Sequence, residues 1–331
     1  MTKRRVFLTH SPAMLANYYG PRALAALREI AEVVINPTGA VLDAKGLIAH
    51  AQGCEIVVSD RSTAGFCDFL DQAPDLVAFL RCAVDIRNVD VAAASRNGIL
   101  VTHATPGFVA SVAELGIGMM VDLARDLSSS TATYRAGGMP VPRMGRQLQG
   151  STVGLIGYGV IAQHIAKLAR ALGMTILASD PYKTITDPDV RQVSFDVALA
   201  DSDFVICLAV ATDATENLIN ADAFARMRRD AFFINLSRGN LVDEAALLAA
   251  LDEGRIAGAA MDVGRAPDQM PSPELARHPL VVATPHVGGL TPAASEHQAF
   301  DTVGQVRAIL RGQVPEGAVN LEAATRLKRM G

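Results

Sequence analysis

Short runs of consecutive apolar residues, separated by longer mixed stretches, set the pattern of this chain. The runs Arg5-Val6-Phe7-Leu8-Thr9, Val33-Val34-Ile35, Ile56-Val57-Val58, Leu76-Val77-Ala78-Phe79-Leu80 and Ile99-Leu100-Val101 are too short for helices. Being apolar on successive residues, they suit strands buried on both faces. Between them, 21–31, 44–51 and 90–96 have helical character, and Pro21 sits where a first helical turn tolerates it. The alternation resumes with strands expected at 152–156, 175–178, 204–208, 232–235, 258–261 and 281–283, and a helix from about 161 to 172 stopped by Gly173. Alternating buried strands and helices predict parallel sheets covered on both faces.

Two features divide the pattern. Residues 111–125 read as a helix, after which Ser128-Ser129-Ser130 and Gly137-Gly138-Met139-Pro140-Val141-Pro142 read as a loop crossing between lobes. A final helix at 293–310 can return the chain to the first lobe. The expected fold is therefore α/β, with two Rossmann-like or flavodoxin-like domains, parallel sheets and an interdomain active-site cleft. The expected domains are 1–104 plus 296–331, discontinuous and substrate-binding, and 105–295, nucleotide-binding. A length of 331 residues and 50% hydrophobic content suit two such cores.

Charge and cysteine content exclude several classes. Thirty Lys and Arg against 34 Asp and Glu give a net charge of −4, which is no nucleic-acid footprint. Cys54, Cys67, Cys82 and Cys207 are scattered, forming neither a CxxC pair nor a metal-ligand cluster, and the seven histidines include no HExxH. No metal is expected, and reduced thiols point to the cytoplasm. The start MTKRRVFLTH meets Thr9, His10, Ser11 and Pro12 before a signal core can form. The most apolar helix, 108–124, carries Glu114 and Asp122 and is too short for a membrane span.

The segment Gly157-Tyr158-Gly159-Val160-Ile161-Ala162 follows one expected strand and opens a helix, as G-x-G-x-x-A does in dinucleotide sites. Gly157 permits the tight turn, Gly159 lets a pyrophosphate approach the backbone, and Ala162 lets the helix pack on the strand. The helix start at Val160 and Ile161 offers N–H groups to phosphate. About 20 residues beyond the glycines, Asp180-Pro181 ends the next apolar run, where a carboxylate accepts both ribose hydroxyls and repels a 2′-phosphate. NAD is the expected cofactor, in preference to NADP.

Two further residues follow strands of the same domain. Arg238, in Asn235-Leu236-Ser237-Arg238-Gly239, can grip a carboxylate bidentately and polarise a neighbouring carbonyl. His286, in Thr284-Pro285-His286-Val287-Gly288-Gly289, suits a proton donor to a developing alkoxide and an acceptor in reverse.

With these motifs in place, the chain resembles the D-isomer-specific 2-hydroxyacid dehydrogenase family over nearly its whole length. The likeness is dense at Asn88-Val89-Asp90, Ser111-Val112-Ala113-Glu114, the Gly157 turn, Ser237-Arg238-Gly239, Val242-Asp243-Glu244 and Thr284-Pro285-His286. The resemblance implies an NAD-dependent oxidoreductase acting on CH–OH groups, interconverting a small 2-ketoacid and a D-2-hydroxyacid, with Arg238 and His286 in the roles just described. It also implies a homodimer built through the central domain, and no nucleic-acid or membrane partner. Phosphoglycerate dehydrogenase-type activity, or a non-enzymatic NAD(H)-sensing corepressor-like protein, are the alternatives.

The chain departs from the family pattern in three places, one being Leu208-Ala209-Val210 where the family has His-x-Pro, which weakens one cofactor contact; the other two bear on the expected site. The family's Asp-Val-Phe-x-x-Glu-Pro, whose Glu orients the catalytic imidazole, is here Asp262-Val263-Gly264-Arg265-Ala266-Pro267-Asp268-Gln269. Pro267 falls at the Glu position, so Asp268 is the expected orienter of His286, with Gln269 a weaker substitute. The family's Gly-x-Gly substrate loop is replaced by Arg81-Cys82-Ala83-Val84-Asp85. Cys82, Ala83, Val84 and Asp85 are still expected to line the substrate, although Ala83 and Asp85 adopt glycine-only dihedrals at a cost. Asp85 is alternatively a partner of Arg81 or Arg87. His103, before Thr105-Pro106-Gly107, is more readily a loop cap than a ligand.

Overall fold

The computed structural model describes residues 3–330. The chain forms two compact units: one runs to Phe108 and resumes at Leu290, the other is Val109–Gly289. These divisions lie a few residues from the expected 104/105 and 295/296.

The first unit holds five strands, β1 (Arg5–Leu8), β2 (Glu32–Ile35), β3 (Ile56–Ser59), β4 (Ala78–Arg81) and β5 (Leu100–His103). They pair in parallel in the order β2-β1-β3-β4-β5. The continuous apolar runs are explained by two cores, one on each face. Val6, Leu8, Ile56, Val58 and Leu80 pack on one side with Ala299, Val303, Val306 and Ile309 of the returning helix Pro292–Leu310. Phe7, Val57, Phe79 and Val101 pack on the other with Leu47, Leu70, Ala93 and Ala94. Adjacent strand residues thus serve opposite cores, as a period of two requires.

The second unit adds β6 (Thr152–Ile156), β7 (Thr175–Ser179), β8 (Val190–Gln192), β9 (Phe204–Cys207), β10 (Phe232–Asn235), β11 (Gly258–Met261) and β12 (Val281–Ala283). Their order is β12-β11-β10-β9-β6-β7-β8, and every pairing is parallel. The chain winds outward from β6 in one direction to β8 and in the other to β12. The order therefore reverses between β6 and β9, the kind of switch point where doubly wound sheets bind ligands beyond their carboxyl ends. Helix Val109–Arg125 lies within this unit, close to helix Val160–Ala171. At Gly116 an added Cβ would stand 2.8 Å from Leu236 and 3.5 Å from Ile165.

Several elements differ from the sequence expectation, β8 among them, where no strand was expected. The serine run does not end the helical region, because Asp126 takes a left-handed φ of 55° and a second helix, Leu127–Arg135, follows. Its start is held by Asp122, whose carboxylate accepts from the Ser128 N–H at 2.8 Å and from the Ser128 hydroxyl. Ser11-Pro12, read only as an interruption of an apolar run, caps helix Pro12–Tyr18. In β4 the ladder begins at Ala78, while Leu76 and Val77 are buried ahead of it. Among the described residues no helix is long and apolar enough to cross a membrane.

The discontinuous unit is fastened by buried polar contacts as well as by apolar ones. From the returning helix, Gln305 accepts from the Thr102 hydroxyl at 2.7 Å and donates to the carbonyls of His103 and Glu316 at 2.8 and 3.0 Å. Gln305→Leu keeps the size of the side chain but strands these partners in a buried site. A loss of at least about 2 kcal/mol is expected, from roughly 1–3 kcal/mol for a buried group left unpaired. Urea titration of the full chain measures it as an earlier first transition; an unmoved transition would contradict the assignment.

Candidate active site

The nucleotide cradle forms at the carboxyl end of β6. Gly157 has φ of +92°, and a Cβ there would stand 2.8 Å from the backbone of Leu208 and Ala209 at the end of β9. Only glycine fits both the conformation and the close approach. Gly159 is different, since a Cβ there would meet nothing within 4 Å, so its surface faces open space. It is the N-cap of helix Val160–Ala171 and supplies no side-chain cap. The first-turn N–H groups, beginning at Val160 and Ile161, are thus left to a ligand or solvent, and the helix dipole favours an anion there. This geometry fits a dinucleotide pyrophosphate.

Asp180 stands just beyond β7 and meets the same turn. One carboxylate oxygen accepts from the Tyr158 N–H and the other from the Tyr182 N–H, each at 2.9 Å. The carboxylate is thereby fixed beside the glycine turn, with Pro181 leading the chain away. Lys183, not singled out in the sequence, donates from its ammonium to the Tyr158 carbonyl at 3.3 Å. Its signal was available: a cation three residues after the acidic strand end, where an anionic ligand's ribose would sit.

Arg238 and His286 follow β10 and β12, two strands separated only by β11. The Arg238 turn is held by Asn235, whose amide donates to the Arg238 carbonyl at 3.0 Å and accepts from the Ser237 N–H at 3.1 Å. The Ser237 hydroxyl donates to the Ala209 carbonyl at 2.6 Å, joining this turn to the end of β9. The Arg238 guanidinium donates to the Ser237 carbonyl at 2.8 Å. Behind it, Gly239 packs so closely on Gly264 that a Cβ would lie 2.0 Å from the Gly264 carbonyl oxygen.

A residue whose role was not apparent in the sequence ties these strand ends together. Asp262, directly after β11, is 3% exposed. Its carboxylate accepts from the Thr284 hydroxyl at 2.7 Å and from the N–H groups of Val287 and Gly288 at 2.8 and 2.9 Å. Its carbonyl accepts from the His286 N–H at 3.0 Å, and its own N–H donates to the Asn235 carbonyl at 3.2 Å. Such multiple acceptance holds a buried carboxylate and orders the loop that donates to it. The available signal was an acidic residue at the close of an apolar run.

His286 has a left-handed φ of 53°. Its Nδ1 lies 2.7 Å from the carbonyl oxygen of Asp268. Asp268 therefore reaches the imidazole as expected by position, but the contact is made by its main chain and not by its carboxylate. The reason is local: Asp268 and Gln269 both take left-handed conformations, φ 56° and 60°, which turn the Asp268 carbonyl toward the ring.

The first unit's expected substrate loop lies at the carboxyl edge of its own sheet. Arg81 is 3% exposed and directs its guanidinium to main-chain carbonyls: Nε donates to Asp85 at 3.1 Å, and the terminal nitrogens donate to Asp60, Arg61 and Thr63. Asp85 accepts from Arg87 at 2.6 Å. Cys82 is buried, and burial pushes its thiol up to about 12, so it is a packing residue in its neutral form. Left-handed non-glycine residues among those described are Asp126, Asn217, Asp268, Gln269 and His286, so Ala83, Val84 and Asp85 do not incur the glycine cost anticipated for this loop. His103 behaves as a loop cap, its Nδ1 2.9 Å from the Ala104 carbonyl and its own carbonyl bound by Gln305. Near these loops His10 is fully buried with neither ring nitrogen hydrogen-bonded among the described residues, and burial lowers it to about 4, keeping it neutral.

Residues 117–288 match the family model described as D-isomer specific 2-hydroxyacid dehydrogenase, NAD binding domain. Over 308 residues the chain is 33% identical to a D-3-phosphoglycerate dehydrogenase of Methanocaldococcus jannaschii, covering 90% of this chain and 57% of that protein. It is 34% identical to a hydroxypyruvate reductase of Thermotoga maritima over 258 residues, 76% of this chain and 83% of the relative. The crystal structure of the TT0316 protein from Thermus thermophilus aligns with a TM-score of 0.85 at 29% identity, covering 95% of this chain and 99% of that one. The chain spans 39–57% of the length of the first phosphoglycerate dehydrogenases it matches. The matched segment contains Arg238 and His286 as well as the Gly157 turn and Asp180, whose geometry fits NAD. By sequence and by fold, the chain belongs to the D-isomer-specific 2-hydroxyacid dehydrogenase family, and its second unit is that family's NAD-binding domain.

Proposed function

We propose that the protein is an NAD-dependent 2-ketoacid reductase and D-2-hydroxyacid dehydrogenase. The observation that carries this reading is the placement of Arg238 and His286 on the carboxyl edge of the sheet that also carries the glycine turn. When bound, NADH supplies the hydride. Gly157, Gly159, Val160 and Ile161 cradle the pyrophosphate, and Asp180 with Pro181 receives the adenosine ribose. Arg238 leaves its contact with the Ser237 carbonyl to hold the substrate carboxylate and polarise the adjacent carbonyl. His286 delivers its Nε2 proton to the carbonyl oxygen as the carbon is reduced, and removes it in the reverse direction.

The loop Cys82-Ala83-Val84-Asp85 supplies the substrate-side contacts through its main chain, since Cys82 is buried and Asp85 is paired with Arg87. With Arg81 tied to carbonyls and Arg87 to Asp85, neither is placed for a phosphate, which supports an unphosphorylated ketoacid. The protein acts as a homodimer through the second unit. Supporting this, the segment after helix Leu127–Arg135 exposes Met139, Val141 and Met144 at 82, 76 and 101%, beside a groove of about 960 Å³. The four cysteines are free thiols, which supports a reducing cytoplasmic compartment.

NADH oxidation against a panel of 2-ketoacids, with chiral analysis of the products, tests the activity. Arg238→Leu should lower kcat/KM by at least about 100-fold, equivalent to roughly 2.7 kcal/mol, while NAD affinity changes little. Failure of every ketoacid with the native protein would overturn the reading, and near-normal turnover by the variant would remove Arg238 from it. Asp180→Ala should weaken NAD binding and raise relative affinity for NADP, because repulsion of the 2′-phosphate is lost and Lys183 remains. Titration of both cofactors against both proteins measures the ratio; an unchanged ratio would place ribose recognition elsewhere.

A further inference from the structure

We infer that the imidazole of His286 is held in its working tautomer by a main-chain carbonyl, that of Asp268, in place of a side-chain carboxylate. The inference rests on the reading of His286 as the acid–base group. It assigns Asp268 as a positioning residue whose side chain is dispensable for that task.

A carbonyl oxygen only accepts hydrogen bonds, so at 2.7 Å the ring must present a protonated Nδ1 to it. Nε2 is then the nitrogen whose proton comes and goes, as acid–base work requires. Pro267, at the position where a carboxylate would be expected, has no side-chain acceptor at all.

The carbonyl is held in place by a turn that is itself anchored at several points. Gly264 donates to the Gln269 carbonyl at 2.7 Å and Ala266 to the Met270 carbonyl at 2.9 Å, closing the turn on both sides of Asp268. Arg265 anchors it from outside: its N–H donates to the Glu244 carboxylate at 2.9 Å, and its guanidinium reaches the carbonyls of Asn240 and Val242 at 3.0 and 3.1 Å. Gly264 lies against the far limb, where a Cβ would stand 2.5 Å from Pro271 Cα and 2.8 Å from the Met270 carbonyl oxygen. The two left-handed residues, Asp268 and Gln269, complete the reversal. Aspartate and asparagine tolerate that conformation better than most residues, so Asp268 suits this position by backbone preference.

Long-range 1H–15N spectra of the full-length protein labelled with ring-15N histidine, without substrate, read the tautomer directly. They are compared for the native protein, Asp268→Asn and Gly264→Ala, with kcat and KM measured alongside. Asp268→Asn keeps the conformation and the carbonyl but removes the charge; the Nδ1-protonated signature should persist and kcat/KM stay within about tenfold. Gly264→Ala displaces the turn; the signature should be lost, with kcat falling at least about tenfold and KM changing less. A lost signature in Asp268→Asn, or a drop beyond about tenfold, would assign the role to the carboxylate and overturn the inference. The spectrum needs no turnover, so this test stands even if the protein reduces no ketoacid, and Asp268→Asn decides it even if Gly264→Ala does not fold.

Discussion

All strands of the seven-stranded sheet run in one direction, so every strand delivers its carboxyl end, and the backbone groups no longer paired in the ladder, to the same edge. Those groups must find new partners, and the way they do so determines where the chemistry sits. The buried Asp262 carboxylate takes up the Thr284 hydroxyl and two N–H groups of the loop that carries His286. Asn235 does the same for the turn that carries Arg238. Two small polar side chains thus convert the edge of a sheet into fixed positions for a guanidinium and an imidazole. Gly239 against Gly264 closes the space between them, where any side chain on either glycine would collide with backbone.

The cradle for the cofactor obeys the same constraint at the other side of the switch point. There the unpaired groups are the N–H groups of a helix start that no side chain caps, so a ligand or solvent supplies their acceptor. Asp180 joins two functions: its carboxylate braces the turn through the Tyr158 N–H and, on the proposed reading, stands where ribose hydroxyls would come. On the proposed reading, a single acidic side chain both braces the loop and sets the cofactor preference.

Most strands were legible because a strand buried on both faces leaves an uninterrupted apolar run, and the helix at 293–310 was legible as a helix, although little in the sequence showed that it returns to the first unit. Gly157, Asp180, Arg238 and His286 stood out because each is a chemically distinctive residue placed just after such a run. Helix Leu127–Arg135 was not legible. It buries none of its residues, so no apolar face marks it, and its start depends on Asp122 in the preceding helix. The partner of the His286 ring was legible as a residue but not as a group. A carbonyl belongs to every residue, and only the paired left-handed conformations of Asp268 and Gln269 aim this one. The loop at Ala83 and Asp85 shows the opposite case, in which glycines were missing because the backbone does not need them.

On the proposed function, the carboxyl edge of the second sheet forms one reaction surface, with Arg238 and His286 converging on the substrate of a hydride transfer. The most direct measurement is a crystal structure of the full chain with NADH and oxamate, an unreactive mimic of a 2-ketoacid. The oxamate carboxylate is expected in bidentate contact with the Arg238 guanidinium, its carbonyl oxygen at hydrogen-bond distance from His286 Nε2, and His286 Nδ1 still on the Asp268 carbonyl. Oxamate bound elsewhere with both side chains unengaged, or His286 presenting Nδ1 to the ligand, would contradict it.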